Sequence, residues 1–425
     1  MIRRRLLLIA VHYPPIQESS GVYRSLAFSK YLPDFGWDVS VLTVHARAHE
    51  KVLASNLRMV PRGVEVIRAQ AWDAARHFSI AGRYPSALAI PDRWSSWIPF
   101  GVLQGGQALR KHRFDAIFST FPIASAHVIA RKLHERTGLP WIADFRDPMV
   151  TAAHPGEASM RERWSRIQRS VLHTATRVTV TTTGAAEHFL REYSDVAARR
   201  IVVIENGFDD EMFPQTEPTP VRGADRREGI FLLHSGVLYL EDRNPIPFFR
   251  ALRRLIDSRL FDTSSLRVRL RASGSEEHYR AELTKLNLSG VVSLASPLPY
   301  AEALREMQQA AALLLFQGAA CGIQIPAKAY EYLYAGRPIL GLTEPAGDTG
   351  QLLQRFGIPG IAALEDEAGI FEMLRDALPR IMAGDYPVPA REAVEPLSRR
   401  AGAGKLAMTL NQALDERSEA QADRR

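Results

Sequence analysis

Short apolar, β-branched runs alternate with helical stretches along most of this chain, and the alternation happens twice. The first series holds "RLLLIAV", "DVSVLTV", "GVEVIRA", "FDAIFST", "LPWIADF" and "RVTVTTT". Between these runs lie stretches of helical spacing, such as Val22, Leu26, Phe28 and Leu32, or "PIASAHVIARKLHERTG". Strands apolar on both faces and separated by helices build a mainly parallel sheet covered on both sides. The pattern stops at 214–229, "PQTEPTPVRGADRREG", where Pro, Thr, Gly and charges cluster as in a linker. A second series follows: "IFLLHSG", "LRVRLRASG", "VVSLASP", "ALLLFQ" and "PILGLTE", again with helices between. A chain of 425 residues is too long for one core. The expected class is α/β, with two doubly wound, Rossmann-like domains at 1–215 and 216–395. Residues 396–425 are expected to form a helix placed back on the first domain, with a frayed polar tail "LDERSEAQADRR".

Composition narrows the function classes. The net charge is +7, from 54 basic and 47 acidic side chains, and the arginines are scattered rather than massed. That bias favours anionic small molecules or an anionic membrane surface over nucleic acid, which would need a basic stripe or a reading helix. The single cysteine, Cys321, rules out an internal disulfide framework. Its small, apolar neighbours point to a packed thiol, and the cysteine count fits a reducing cytoplasm. The start "MIRRRLLLIAVHYPP" imitates a leader, but its apolar run is short and meets Pro-Pro, as a buried first strand would. No run approaches the roughly 18 apolar residues of a membrane span. His127 and His134 stand seven apart on one helix, not at metal spacing, and no HExxH, CxxC or EF-hand pattern occurs. No metal or cofactor is therefore expected.

Doubly wound sheets bind ligands beyond the carboxyl ends of their strands. Four segments fall there. In "HYPPIQESSGVYRS", Ser19, Ser20 and Gly21 open a helix whose amino end favours negative charge. In "WIADFRDP", Asp144, Arg146 and Asp147 crowd the end of a strand, either as a salt bridge fixing the loop or as ligand contacts. In "HSGVLYLEDRNP", the amides near Ser235 and Gly236 and the guanidinium of Arg243 suit a diphosphate. In "IPAKAYEYLYAGRPIL", Lys328 and Glu331 share one face of a helix opened by Pro326. An exposed pair there would contribute only ~0.3 kcal/mol. Between two apolar strands, Lys328 suits a phosphate, and Glu331 suits a vicinal ribose diol. "PDRWSSWIPFG", with Trp94 and Trp97, is either a membrane-surface patch or a loop packed on the first domain.

Taken in order, "HYPPIQESSGVYRSLAFSKYLPDFGWDVSVLT", "FDAIFSTFPIASAHVIA", "LPWIADFRDP", "ENGFDDEMF", "HSGVLYLEDRNP" and "IPAKAYEYLYAGRPIL" resemble the retaining glycosyltransferases of family four. The resemblance runs from residue 5 to about 345. It implies the GT-B fold, with the two domains facing a central cleft. It further implies transfer, with retention, from a nucleotide-diphosphate sugar to a glycan, lipid-linked or small-molecule acceptor, as in polysaccharide biosynthesis. The first domain would take the acceptor, with Ser20, Gly21, Arg24 and Asp147 on its loop side. Ser235, Gly236, Arg243, Ala327, Lys328 and Glu331 would hold the donor. Arg243, Lys328, Arg146 and Asp144 would stand at the reaction centre. Glu331 matches the second glutamate of the family's E-x7-E motif, whereas Ile323 stands where the first is expected. Arg146 stands where many members carry a histidine. A cytoplasmic protein, with room for peripheral association at the inner membrane face, is implied. The alternatives are a sugar-nucleotide epimerase of the same fold and a non-catalytic partner subunit that binds nucleotide sugar.

Overall fold

A computed structural model of the chain describes residues 3–16, 21–79, 83–151, 154, 157–214, 230–260 and 266–422. Ser19 and Ser20, and nearly all of the expected linker, lie outside the described residues. The chain divides into two compact units, Met1–Asn206 with Arg399–Arg425, and Gly207–Ser398. The change of unit falls before the Pro- and Thr-rich stretch because Phe208 and Phe213 pack into the core of the second unit.

The first unit holds β1 (Arg4–Ile9), β2 (Trp37–Val44), β3 (Glu65–Ala69), β4 (Ala116–Thr120), β5 (Trp141–Arg146), β6 (Arg177–Val180) and β7 (Ile201–Val203). They form one parallel sheet in the order β3-β2-β1-β4-β5-β6-β7. Leu6, Leu7, Leu8 and Ile9 of β1 are wholly buried, as a central strand with helices on both faces requires. The helix Gly21–Tyr31 follows β1. The following 3-10 turn, Leu32–Phe35, stops at Gly36, whose φ of 83° suits the left-handed turn into β2.

The second unit holds β8 (Ile230–Ser235), β9 (Leu266–Arg271), β10 (Val292–Ala295), β11 (Ala312–Gln317), β12 (Ile339–Thr343) and β13 (Ile361–Ala362), in the order β10-β9-β8-β11-β12-β13. Its helix Ile246–Asp257 buries Phe248, Phe249, Leu252, Leu255 and Ile256 on one face. Arg250, Arg253 and Arg254 occupy the intervening positions, the spacing of an amphipathic helix. Each such apolar side chain contributes about 1.5–3 kcal/mol on burial.

Both sheets reverse their winding direction at one place, between β1 and β4 and between β8 and β11. The pair β8–β11 registers only over Leu232 with Ala312 and Leu233 with Leu313. This is the switch point, where a doubly wound sheet offers a crevice at its carboxyl edge.

One expectation needs correction. Residues 414–422 of the expected tail are helical rather than frayed. The helix Arg399–Ala422 runs into it from a stretch where Ala403, Leu406, Ala407, Leu410 and Ala413 are buried in the first unit's core. Trp37 Nε1 donates to Asn411 Oδ1 at 3.1 Å, and Arg177 pairs with Glu416. Of the two readings of "PDRWSSWIPFG", the structure has the packed one. Trp97 is fully buried at the start of the helix Trp97–Lys111, and Trp94 packs half-buried against the same core. Arg93 is held by an ion pair with Asp73.

Candidate functional site

In the first unit, Asp144 is wholly buried near the end of β5. Arg24, itself buried, grips it with two hydrogen bonds, from Nε to Oδ2 at 3.0 Å and from Nη2 to Oδ1 at 2.8 Å. Thr120 and Thr179 donate to the same carboxylate at 2.8 and 2.7 Å. Burial alone would push this carboxyl up. Arg24, Thr179 and the nearby Arg146 outweigh it and hold it below the usual carboxylate range. Arg24 also donates to the carbonyls of Ile204 and Glu205 at 2.9 and 3.0 Å. The pair therefore ties the helix Gly21–Tyr31 to β5 and to the chain leaving β7. A carboxylate with four donors on its two oxygens has no lone pair left for proton transfer, so Asp144 is not placed as a base.

Arg146 ends β5 at a bulge, with a left-handed φ of 59°. Its carbonyl accepts from Thr181 Oγ1 at 2.5 Å, and its Nη1 donates only a long bond, 3.4 Å, to the Phe121 carbonyl. Burial lowers its pKa, Asp144 and Asp147 oppose that, and Arg24 and Arg399 add to it. Beside it, His12 in the loop after β1 is pushed down to about 3 by burial, then by Arg146 and His49. The carboxyl edge of this unit thus gathers Arg146, Arg399 and neutral imidazoles, which suits an anionic or hydroxyl-bearing ligand. Gly21 begins its helix as expected, and Asp147 sits half-buried next to Arg146.

In the second unit the crevice between β8 and β11 carries the charges. The amide of Ser235 donates to the Tyr332 hydroxyl, and that of Gly236 to the Arg271 carbonyl, at 2.9 and 2.8 Å. The amide of Leu238 donates to the Ser273 carbonyl at 2.8 Å. Ser235 and Gly236 therefore do not offer their amides to a phosphate, contrary to the sequence expectation. The role of Gly236 is steric: its φ is 114°, and a Cβ there would come 2.7 Å from Lys328 Nζ.

Lys328 opens the helix Ala327–Ala335, whose N-cap Pro326 supplies no side-chain cap. The first turn of a helix leaves its leading amides without intrahelical partners, and the helix dipole favours negative charge at that end. Lys328 Nζ lies 3.2 Å from Nε2 of the buried His234. Arg243 donates through Nε to Gln317 Oε1 at 2.9 Å, and its guanidinium lies over the Tyr239 ring. Neither cation forms an ion pair with a described residue. Glu331 is 8% exposed, on the same helix as Lys328, and accepts from the Tyr300 hydroxyl at 2.6 Å. Burial, then Arg243, bring Lys328 down to about 7, with Glu331 opposing.

The structure thus brings together Arg243, Lys328, Glu331 and the amino end at Ala327. Sequence reasoning missed His234 and Gln317, the neutral groups that seat the two cations. A histidine inside an otherwise apolar strand was the available signal for the first. Ile323 lies in the loop before this helix, half-buried. Among the described residues no cluster of three His, Cys, Asp or Glu could hold a metal ion, and no helix is long and apolar enough to cross a membrane.

Residues 22–207 match the family described as Glycosyl transferase 4-like domain. No curated protein matches the sequence. Among solved structures, sucrose-phosphate synthase of Thermosynechococcus elongatus is similar with a TM-score of 0.66 at 15% identity, over 97% of this chain and 100% of that one. HepE of Anabaena, solved in complex with UDP, gives 0.66 at 14% over 96% and 100%. WaaG, a glycosyltransferase involved in lipopolysaccharide biosynthesis, gives 0.62 at 14% over 95% and 99%. At these identities the likeness is one of fold: two Rossmann-like domains of the GT-B type.

Proposed function

We propose that this protein is a glycosyltransferase that uses a nucleotide-diphosphate sugar as donor. The observation that carries this is the pair of cations, Lys328 and Arg243, seated on His234 and Gln317 at the switch point, with Glu331 one helical turn from Lys328. Two cations without a carboxylate partner at a sheet's carboxyl edge suit a diphosphate, and Glu331 suits a ribose diol. The UDP-bound relative of the same fold and the transferase family match in the first unit support the reading.

Transfer builds negative charge on the departing diphosphate. Fixed cations and a helix amino end stabilise such charge without reorganising, the largest effect this site has to offer. Lys328, Arg243 and the amides of Ala327 and Lys328 take that part. Arg146 and Gly21 serve the acceptor side, with Arg24 and Asp144 holding the helix that Gly21 begins. Retention at the anomeric carbon is part of the proposal, with a leaving phosphate oxygen accepting the acceptor's proton, because Asp144 is fully occupied. The acceptor is a glycan, a lipid-linked intermediate or a small hydroxyl compound. Turnover is expected to continue in excess EDTA, since two side-chain cations replace a metal's charge. Complete loss that Mg²⁺ restores would contradict this.

A cytoplasmic place at the inner membrane face also belongs to this reading. Val52, Leu53, Leu57, Trp72, Phe78 and Leu88 are exposed on the loops after β2 and β3, interleaved with Arg47, Lys51, Arg58 and Arg76. Arg76 joins the two loops by donating to the carbonyls of Arg47 and His49 at 3.0 and 2.6 Å. Exposed apolar groups among cations suit anionic headgroups. Co-sedimentation with vesicles containing phosphatidylglycerol is expected, and equal recovery with neutral vesicles would count against it.

A further inference from the structure

His234 is fully buried on β8, beside β11. Its Nδ1 meets the Leu314 carbonyl of β11 at 2.9 Å. Nε2 faces a carbonyl too, but Nε2 alone also has a donor against it, Lys328 Nζ. The arrangement without two unrelieved acceptors therefore puts the neutral ring's one hydrogen on Nδ1. The neutral ring then presents a lone pair at Nε2. That nitrogen has two neighbours, the Gly236 carbonyl at 2.9 Å and Lys328 Nζ at 3.2 Å. Two acceptors side by side repel each other unless a donor lies against them, and Lys328 is that donor. The missing Cβ of Gly236 leaves the room for it.

We propose that His234 is a positioning residue for the donor diphosphate, and that binding of the diphosphate draws a proton onto Lys328 in the seat His234 provides. This rests on the reading of the second unit as the donor site. The imidazole takes one hydrogen of the Lys328 amine and leaves the others to face the phosphate oxygens. The proton comes from solvent to the amine lone pair, and no other bond is made or broken. The charged groups that face Lys328 are Arg243, from the loop after β8, and Glu331, from its own helix. Burial first, then Lys328, hold His234 well below the ordinary histidine value, so the proton belongs on the lysine. Lys328 itself stands at about 7 in the empty site. Above that pH the empty site holds an amine, and an arriving anion restores the ammonium.

The test is calorimetric titration of UDP, and separately of inorganic pyrophosphate, at about pH 8 in buffers of different ionisation enthalpy. The wild-type protein is expected to take up close to one proton per ligand, and its affinity to fall about tenfold per pH unit above about 7. Lys328→Arg, charged at every such pH, is expected to bind with no uptake. His234→Gln keeps an acceptor for Lys328 and is expected to keep the uptake. His234→Leu, with its melting temperature measured alongside, is expected to bind at least about tenfold more weakly. Binding without uptake in the wild type, the same uptake in Lys328→Arg, or wild-type affinity in His234→Leu overturns the proposal. Absence of binding to UDP, GDP, ADP, dTDP and pyrophosphate alike overturns the donor-site reading, and this inference with it.

Discussion

The two sheets wind in the same order, and each gathers charge at its carboxyl edge, yet the two clusters are built in opposite ways. In the first unit a buried arginine and a buried aspartate close on each other, and two threonines fill the remaining acceptor positions. In the second unit the cations rest on neutral groups, an imidazole and an amide, which fix their position without cancelling their charge. A closed ion pair has nothing left to offer a ligand and serves the fold. An open cation costs stability in the empty protein and serves binding.

Several changes can break or sharpen this contrast. The largest effect is expected from Asp144→Ala, which leaves the Arg24 guanidinium buried and unpaired. It should cost about 3–5 kcal/mol of stability in denaturant titration. Replacing both partners, Arg24→Met with Asp144→Leu, should recover much of that. A wild-type melting curve for Asp144→Ala would break the contrast on the first side. Lys328→Met comes next, with the opposite profile. Diphosphate affinity should fall by about 1.5–3 kcal/mol, a tenfold to hundredfold loss, while the empty protein melts at the same temperature or higher. A stability loss as large as that of Asp144→Ala would make Lys328 a structural residue.

A third expected change is in the pH dependence of the empty protein. Lys328 is lowered from 10.5 to about 7 in the folded state, so between these values the unfolded chain holds more protons. The stability of the wild type relative to Lys328→Met should therefore rise with pH across that window and be flat below it. The Asp144 carboxyl is lowered in the folded state. Its contribution is present above the ordinary carboxylate range and lost as pH falls through it. Acid should loosen the first unit's cluster, and base should relieve the second's. Equal slopes for the wild type and Lys328→Met would remove Lys328 from the account.

Much of the fold is visible in the sequence because both sheets are central and parallel. Runs such as "RLLLIAV" and "ALLLFQ" are apolar on both faces and lie next to helices with clear spacing. The edge strands β7 and β13 span three and two residues and leave no such signal. The helix Trp97–Lys111 is disguised by Pro99, Gly101 and Gly105. The glycines are there for close packing: a Cβ at Gly101 or Gly105 would meet Ile129 or Leu133 at 2.5 or 2.7 Å. At the candidate site, Lys328 and Glu331 stand out because charges interrupt an apolar helix. What holds them does not stand out, since His234 and Tyr300 lie 94 and 31 residues away in sequence. For the same reason "WIADFRDP" pairs Asp144 with its neighbour Arg146, whereas the partner in space is Arg24, 120 residues earlier.

The central claim is that the open cations of the second unit bind a nucleotide diphosphate. The most direct measurement is the thermal shift of the wild-type protein and of Lys328→Met against UDP-, GDP-, ADP- and dTDP-sugars. Ligand that binds only the folded state at about 100 times its Kd stabilises by about 2.7 kcal/mol. The account predicts a clear rise in melting temperature with at least one of these donors, and a much smaller rise for Lys328→Met. No shift with any donor, or the same shift in both proteins, would contradict it.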